Sequence, residues 1–338
     1  MKKSFLGLFL IGLSFSNLTI AQNGEAGYAF LRLPSSTHVS ALGGTNISLI
    51  SDDNANAFQN PALLARVSDK SLSLNYMNYV ADINYGTAFF SNSASARAVW
   101  GVGMIYSNYG TFKETSADNT DLGTFIAKDM AFHAVYAYNL TDKWSGGITG
   151  KAIYSEYADY NSFALGVDLG LNYYDALNNI SFSIALKNLG GQLVKYNDQY
   201  ENMPWDLQVG YSKKLAHAPF RLHLTGKYLN MWDFSLMRET MNTSGGGTVR
   251  TKDSFFSTFT KHIDFGLDFI LSKSFYLAFG YNPKTADDFT VVDQKGFYGF
   301  TMGTGFDVKH YHIGASVFQQ HVGGTTLMIG VSTDLKKL

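Results

Sequence analysis

From Ser71 onward, apolar side chains fall on every second position in segments of about ten residues, the period of a strand whose two faces meet different surroundings. Phe163, Leu165, Val167, Leu169, Leu171 and Tyr173 alternate with Ser162, Ala164, Gly166, Asp168, Gly170 and Asn172. Ile180, Phe182, Ile184 and Leu186 alternate with Ser181, Ser183, Ala185 and Lys187, and Ile263, Phe265, Leu267, Phe269 and Leu271 with His262, Asp264, Gly266 and Asp268. Leu327, Ile329, Val331 and Leu335 alternate with Thr326, Gly330, Ser332 and Asp334. A helix would place apolar residues at i, i+3 and i+4, and these runs do not. The pattern predicts strands over 72–79, 84–91, 97–107, 128–139, 143–155, 161–174, 179–189, 205–213, 219–230, 261–271, 273–281, 298–308, 309–319 and 325–335. About 14 strands is an even number, as single-chain outer-membrane barrels have.

The connections agree with a barrel. Longer links at 108–127, 190–204, 231–260 and 282–297 take turns with tight ones at 92–96, 140–142, 175–178, 214–218, 272 and Lys309. An up-and-down barrel puts every second connection on one side, short turns facing the periplasm and long loops outside. Both termini then lie in the periplasm. Ten residues tilted about 40° span about 25 Å, the height of the apolar band. Tyr76 and Tyr79, Tyr106 and Tyr109, Tyr136 and Tyr138, Tyr154 and Tyr157, Tyr173 and Tyr174, and Trp205 and Tyr211 lie toward segment ends, where an interfacial girdle needs them.

Composition narrows the choice further. Aromatic residues make up 15% of the 338 and charged residues only 16%, below the roughly 25% usual for soluble domains. There is no cysteine, so no disulfide scaffold or thiolate metal site, and a net charge of −1 gives no excess of cations for binding nucleic acid. A mean hydropathy of −0.06 argues against a helical membrane protein. Lys2 and Lys3 precede an apolar stretch from Phe5 to about Phe15, and Thr19-Ile20-Ala21 offers small residues at the −3 and −1 positions of a cleavage site. Residues 1–21 therefore read as a secretory signal peptide, too interrupted by Ser14, Ser16 and Asn17 to be an anchor.

Residues 22–71 do not alternate and are richer in Gly, Ser, Asn and Ala. Fourteen strands about 4.8 Å apart and tilted about 40° enclose a ring of roughly 28 Å, more than wall side chains fill. This segment is expected to be a plug inside the barrel of residues 72–338. Asn60-Pro61-Ala62, closing such a segment ahead of 14 strands, is similar to the FadL-like long-chain fatty-acid transporter superfamily, whose N-terminal hatch sits in the lumen. Phe30-Leu31-x-Leu33-Pro34-Ser35, Ala41-Leu42-Gly43-Gly44 and Ser51-Asp52-Asp53 resemble more specifically the PorQ family, outer-membrane components of the type IX secretion system of Bacteroidota. That resemblance implies a barrel in the outer-membrane lipid that anchors a PorZ-like surface protein, in an attachment complex with a sortase and a PorV-like shuttle. One departure is the C-terminus, Lys336-Lys337-Leu338, where many outer-membrane barrels end on an aromatic residue.

No constellation reads as catalytic. Asp52, Asn54 and Asn56 have calcium-loop spacing, but Ala57 and Leu63 stand where Gly and Glu belong, so Asx turns are the better reading. His310 and His312 share a strand face, with His262 and His223 on others, a hydrated wall rather than a metal site. Asp264 and Asp268 are about 13 Å apart along a strand, too far to act on one glycosidic bond. Lys151, Lys187, Arg221 and Lys227 share polar faces with Asp168, Asp264 and Asp268 and are expected to pair across the lumen or with the plug. No serine sits in a nucleophile elbow, and Ser244-Gly245-Gly246-Gly247 lacks the lysine of a phosphate loop. Neither enzyme activity nor a cofactor is expected. Two functions remain: a plugged barrel that anchors a surface partner, or a FadL-like transporter of hydrophobic small molecules. The loop of Met231, Trp232, Phe234, Leu236, Met237, Phe255, Phe256 and Phe259 is too apolar for an idle solvent loop and suits a partner groove, though it could instead receive a lipid tail.

Overall fold

The computed structural model describes residues 27–79, 83–116, 118, 120–196, 200–232, 234, 254–289, 297–321 and 324–336. The expected signal peptide and its cleavage site lie outside the described residues. Seven strands form the first half of the wall: β1 (Ser71–Asn78), β2 (Asn84–Ser93), β3 (Ala98–Thr115), β4 (Asp121–Asn139), β5 (Trp144–Tyr157), β6 (Tyr160–Asp175) and β7 (Ile180–Val194). The second half is β8 (Asp206–Lys214), β9 (Phe220–Gly226), β10 (Ile263–Ser272), β11 (Phe275–Tyr281), β12 (Phe300–Val308), β13 (Tyr311–His321) and β14 (Gly324–Asp334). Each pairs antiparallel with its chain neighbours, and β1 pairs with β14 from Ser71 opposite Asp334 to Asn78 opposite Leu327. The ring is closed, so no strand edge is left for lipid to desolvate.

The alternation read from the sequence sets the faces. Leu165 is 47% exposed, and Val167 and Leu169 are exposed beside it, while Ala164, Asp168 and Asn172 on the other face are buried. The barrel is all-β, with fourteen strands, but its wall is uneven. β3 and β4 run 18 and 19 residues, so most of the expected 108–127 loop is strand, with Thr111 opposite Ile126 and Lys113 opposite Thr124. β9 and β11 have only seven residues each. Beyond these short strands lie two helices that the alternation did not predict, α2 (Phe255–Lys261) and α3 (Pro283–Asp288). Asn282 caps α3 by accepting from the Thr285 N–H, with Pro283 in the first turn.

Inside the ring, the chain from Tyr28 to Val67 folds into 3-10 turns at Ala29–Arg32, Asn54–Phe58 and Pro61–Arg66 and one helical turn, α1 (Thr37–Ala41). Val39, Leu42, Ala55, Ala57, Ala62 and Leu64 in this segment are buried. At the short-turn end the ring is fastened beside its seam. The Asp69 carboxylate, held down to about 2 by hydrogen bonding to Lys336 and then to the Ser93 N–H, ties the start of β1 to the chain after β14.

Two outcomes test these faces and ends. Leu165→Arg should cost about 2–4 kcal/mol in a urea-unfolding assay in lipid vesicles, since it faces the middle of the apolar band. A cysteine at Ser254 should react with an impermeant thiol reagent on intact cells, and one at Asn178 only after the outer membrane is opened. Equal labelling at the two positions would refute the orientation.

Candidate functional site

The inner segment approaches the wall through glycine. A Cβ on Gly147 of β5 would lie 2.4 Å from the Pro61 carbonyl carbon, and one on Gly170 of β6 would lie 2.0 Å from Asn60 Oδ1. A Cβ on Gly103 would meet Phe58 at 2.7 Å, on Gly210 Ile47 at 2.6 Å, on Gly280 the Gly43 nitrogen at 2.2 Å, and on Gly303 Ala41 at 2.7 Å. These glycines occupy inward positions of strands all round the ring, so the inner segment packs where wall side chains would otherwise intervene, with its backbone against β5, β6 and β11.

Asn60-Pro61-Ala62 lies at the centre of this contact. Asn60 accepts from the Ala62 N–H at 3.0 Å and donates through Nδ2 to the Ile47 carbonyl at 3.0 Å. The Ala62 carbonyl accepts from Ser145 Oγ on β5 at 3.0 Å. The motif is thus a cap and a bend held against β5 and β6. Asn54 does similar work, its Nδ2 donating to the Ser71 carbonyl at 2.8 Å and to Ser91 Oγ at 3.0 Å. Asp53 closes an Asx turn on the Ala55 N–H at 3.0 Å, and Asn56 donates to Ser51 Oγ at 2.8 Å. Among the described residues no group of His and carboxylate side chains has the makings of a metal site.

Most charge inside the barrel is paired. Lys151 meets Asp168 at 2.7 Å and Lys227 meets Asp264 at 2.7 Å. Asp268 receives His38 of α1 at 2.9 Å, Arg221 at 2.8 Å and His223 at 3.1 Å, so one carboxylate ties the inner segment to β9 and β10. Of the four cations singled out in the sequence, only Lys187 has no ion-pair partner among the described residues. Three tyrosines assigned to the girdle turn inward instead, Tyr79 against the core beside Leu33 and Val67. Tyr109 and Tyr157 both donate to Asp129 Oδ2, at 2.6 and 2.9 Å, because a buried carboxylate needs donors that interfacial lipid would not supply.

The long-loop end carries the aromatic residues expected there. Phe255 and Phe256 on α2 are 76% and 74% exposed, with Phe259 and Trp232 also exposed and the Trp232 and Phe255 rings stacked 6.2 Å apart. Phe234 is buried instead, packed 4.8 Å from the His262 ring, and Met231 is half-buried. Leu236 and Met237 lie outside the described residues. Lys261 holds α2 to α3 through Asp287 at 2.6 Å. The sequence reading missed Phe297, 80% exposed, and the exposed Phe300, which extend the aromatic rim. A second feature lies on the outer wall: an apolar groove of about 890 Å³ running across β8–β13, lined by Leu222, Leu224, Phe265, Phe279, Phe300 and Met302.

The fold is that of known outer-membrane barrels. The chain is similar to the Ralstonia pickettii toluene transporter TbuX, at 12% identity and a TM-score of 0.55 over 89% of this chain and 98% of that one. It is similar to a Pseudomonas aeruginosa FadL homologue, at 11% identity and a TM-score of 0.52 over 89% and 98%. The Pseudomonas putida toluene transporter TodX gives 13% identity and a TM-score of 0.52 over 89% and 96%. At these identities the likeness establishes the fold. No protein-family model matches the chain, and no curated protein does.

The glycine contacts are testable. Gly147→Val should lower urea stability by about 1–3 kcal/mol and raise ion conductance in planar bilayers as the inner segment is pushed from β5. Gly150→Val, with nothing within 4 Å of its Cβ, should change neither. Equal effects at the two positions would show that the inner segment does not depend on β5.

Proposed function

We propose that this chain is a non-enzymatic outer-membrane barrel, closed by its own N-terminal segment, that holds a protein partner at the cell surface. The observation that carries this reading is the rim. Phe255 and Phe256 stand exposed on a helix fastened to its neighbour by the Lys261–Asp287 pair, above a lumen in which the inner segment packs against wall glycines. Exposed aromatic side chains on a fixed support are the anchors that protein interfaces use. The PorQ-like motifs supply the partner's class: a PorZ-like surface protein of the type IX secretion attachment complex of Bacteroidota, with its sortase and PorV-like shuttle.

A second reading is uptake of a hydrophobic small molecule, the alternative that the FadL-like resemblance implies. The solved barrels similar in fold favour it over the anchor, since two of them are toluene transporters. The apolar groove across β8–β13 offers such a molecule a surface.

One double variant separates the two. Phe255→Ser with Phe256→Ser should leave the barrel folded, read by heat-modifiable migration on a gel. It should release the surface partner from gently solubilised outer membranes, at about 2 kcal/mol for each anchoring aromatic. If the partner stays bound while uptake of toluene or a long-chain fatty acid falls, the transport reading replaces the anchor.

A further inference from the structure

We propose that the long-loop mouth of the barrel holds a binding site for a phosphate group, built around Arg32. A cavity of about 160 Å³ lies there between the inner segment, the end of β9 and α3, and Arg32, Lys227 and Lys284 line it from these three elements. Thr45 and Thr285 add hydroxyls. That volume is several times what a single water needs and suits a group of a few non-hydrogen atoms.

The cations are not equally engaged. Lys227 is held by Asp264 at 2.7 Å, and Lys284 by Asp288, itself on the cavity, at 2.5 Å. Arg32 has no carboxylate within ion-pair distance among the described residues. Its guanidinium lies 5.3 Å over the Tyr228 ring, and its Nε is buried without an acceptor. Asp206, on the adjoining void, accepts from Gln208 Nε2 and from the Tyr228 N–H, each at 2.6 Å. A smaller void of about 20 Å³ adjoins the cavity, sharing Arg32, Thr45, Lys227 and Tyr228, and there Lys187, 6% exposed, is a second cation without an ion-pair partner among the described residues.

A guanidinium stacked on a ring with a buried N–H left open is set up for a charge-assisted hydrogen bond to an oxyanion. Its chain neighbours Leu31 and Leu33 pack on the apolar core, while Arg32 lines the cavity. Three cations and two hydroxyls arriving from different elements match the oxygens of a tetrahedral phosphate better than the two coplanar oxygens of a carboxylate. The cavity faces the long loops, so the ligand arrives from the cell-surface side. This site is independent of the aromatic rim and stands whichever function that rim serves.

The test is calorimetric titration of the purified full-length barrel in detergent with inorganic phosphate, at neutral pH and low ionic strength. Saturable binding is expected, weakened about tenfold or more by Arg32→Gln and unchanged by Lys128→Gln, on the exposed pair with Glu156 on the opposite side of the wall. Lys284→Met, outside the strands, should weaken binding in the same direction and covers the case in which Arg32→Gln fails to fold. Acetate serves as the planar comparator, and glycerol 3-phosphate separates the sources: tighter binding than phosphate assigns the site to a phosphorylated headgroup or sugar, weaker binding to the free ion. No saturable phosphate binding, equal binding by Arg32→Gln and Lys284→Met to wild type, or acetate binding as tightly as phosphate would each overturn the assignment.

Discussion

The close approach of the inner segment to bare backbone on the wall is the constraint on which the rest of the structure depends. A ring of fourteen strands satisfies its own hydrogen bonds but cannot fill its interior with wall side chains. An irregular segment can fill it only if its own peptide groups find partners there. Glycine at inward positions lets that happen. Thr301 on β12 donates to the Ala41 carbonyl at 2.7 Å and accepts from the Gly43 N–H at 3.0 Å, a bridge that needs Gly280 and Gly303 alongside to remain bare. Asn282 Nδ2 then reaches the Gly43 carbonyl at 3.2 Å, so the residue that caps α3 also fastens the inner segment.

The electrostatics follow from the same packing. A lumen this full leaves little water to solvate charge, and each buried cation must meet a carboxylate or pay several kcal/mol for isolation. Asp268 shows the arrangement at its densest, with His38, Arg221 and His223 around one carboxylate buried among β9, β10 and α1. Removing Asp268 would strand three donors at once, which makes this carboxylate a joint between segment and wall. The wall's height is governed separately. Seven tilted residues span only about 18 Å, so the side built from β9 and β11 stands lower than the side built from β3 and β4. α2 and α3 sit where the strands stop, and their exposed phenylalanines belong to that lower side.

Much of the wall was legible because strand alternation in a barrel separates two solvents. Leu165 and Asp168 differ in surroundings as completely as two residues of one strand can, and their sequence pattern carries that difference. The ends were less legible. Thr111 to Thr115 and Asp121 to Ile126 extend a hairpin beyond the apolar band, where no lipid face imposes alternation, so their polar residues read as loop. Phe255, Phe256 and Phe259 were recognised as an apolar cluster, but one turn of i, i+4 spacing is too short to announce a helix. The inner segment was expected from its composition, its lack of alternation, the width of the ring and the Asn60-Pro61-Ala62 motif. Its geometry is fixed by contacts such as His38 to Asp268 and Thr301 to Ala41, more than two hundred residues apart, and no local pattern encodes them. The wall glycines could have been read: Gly147, Gly210, Gly280 and Gly303 recur at inward positions where a wide lumen would ordinarily be given larger polar residues.

These constraints bear on how the two functional readings divide the energy. A solute passing through the lumen would have to displace a segment whose side chains bond to strands around the ring and whose backbone lies against glycine on β5, β6 and β11. Each hydrogen bond broken without replacement in that interior costs about 1–3 kcal/mol, and several must break together because the segment is held from opposite sides. Transport by a route along the outer groove would avoid that cost, since Leu224, Phe265 and Phe279 already face lipid there. A partner held at the rim asks even less of the barrel. The phenylalanines of α2 are exposed before any partner arrives, and the lumen beneath them stays closed while they are covered. The same packing that makes passage through the lumen expensive makes the rim a firm base, and rigidity at the base lowers the ordering cost that an anchor must overcome.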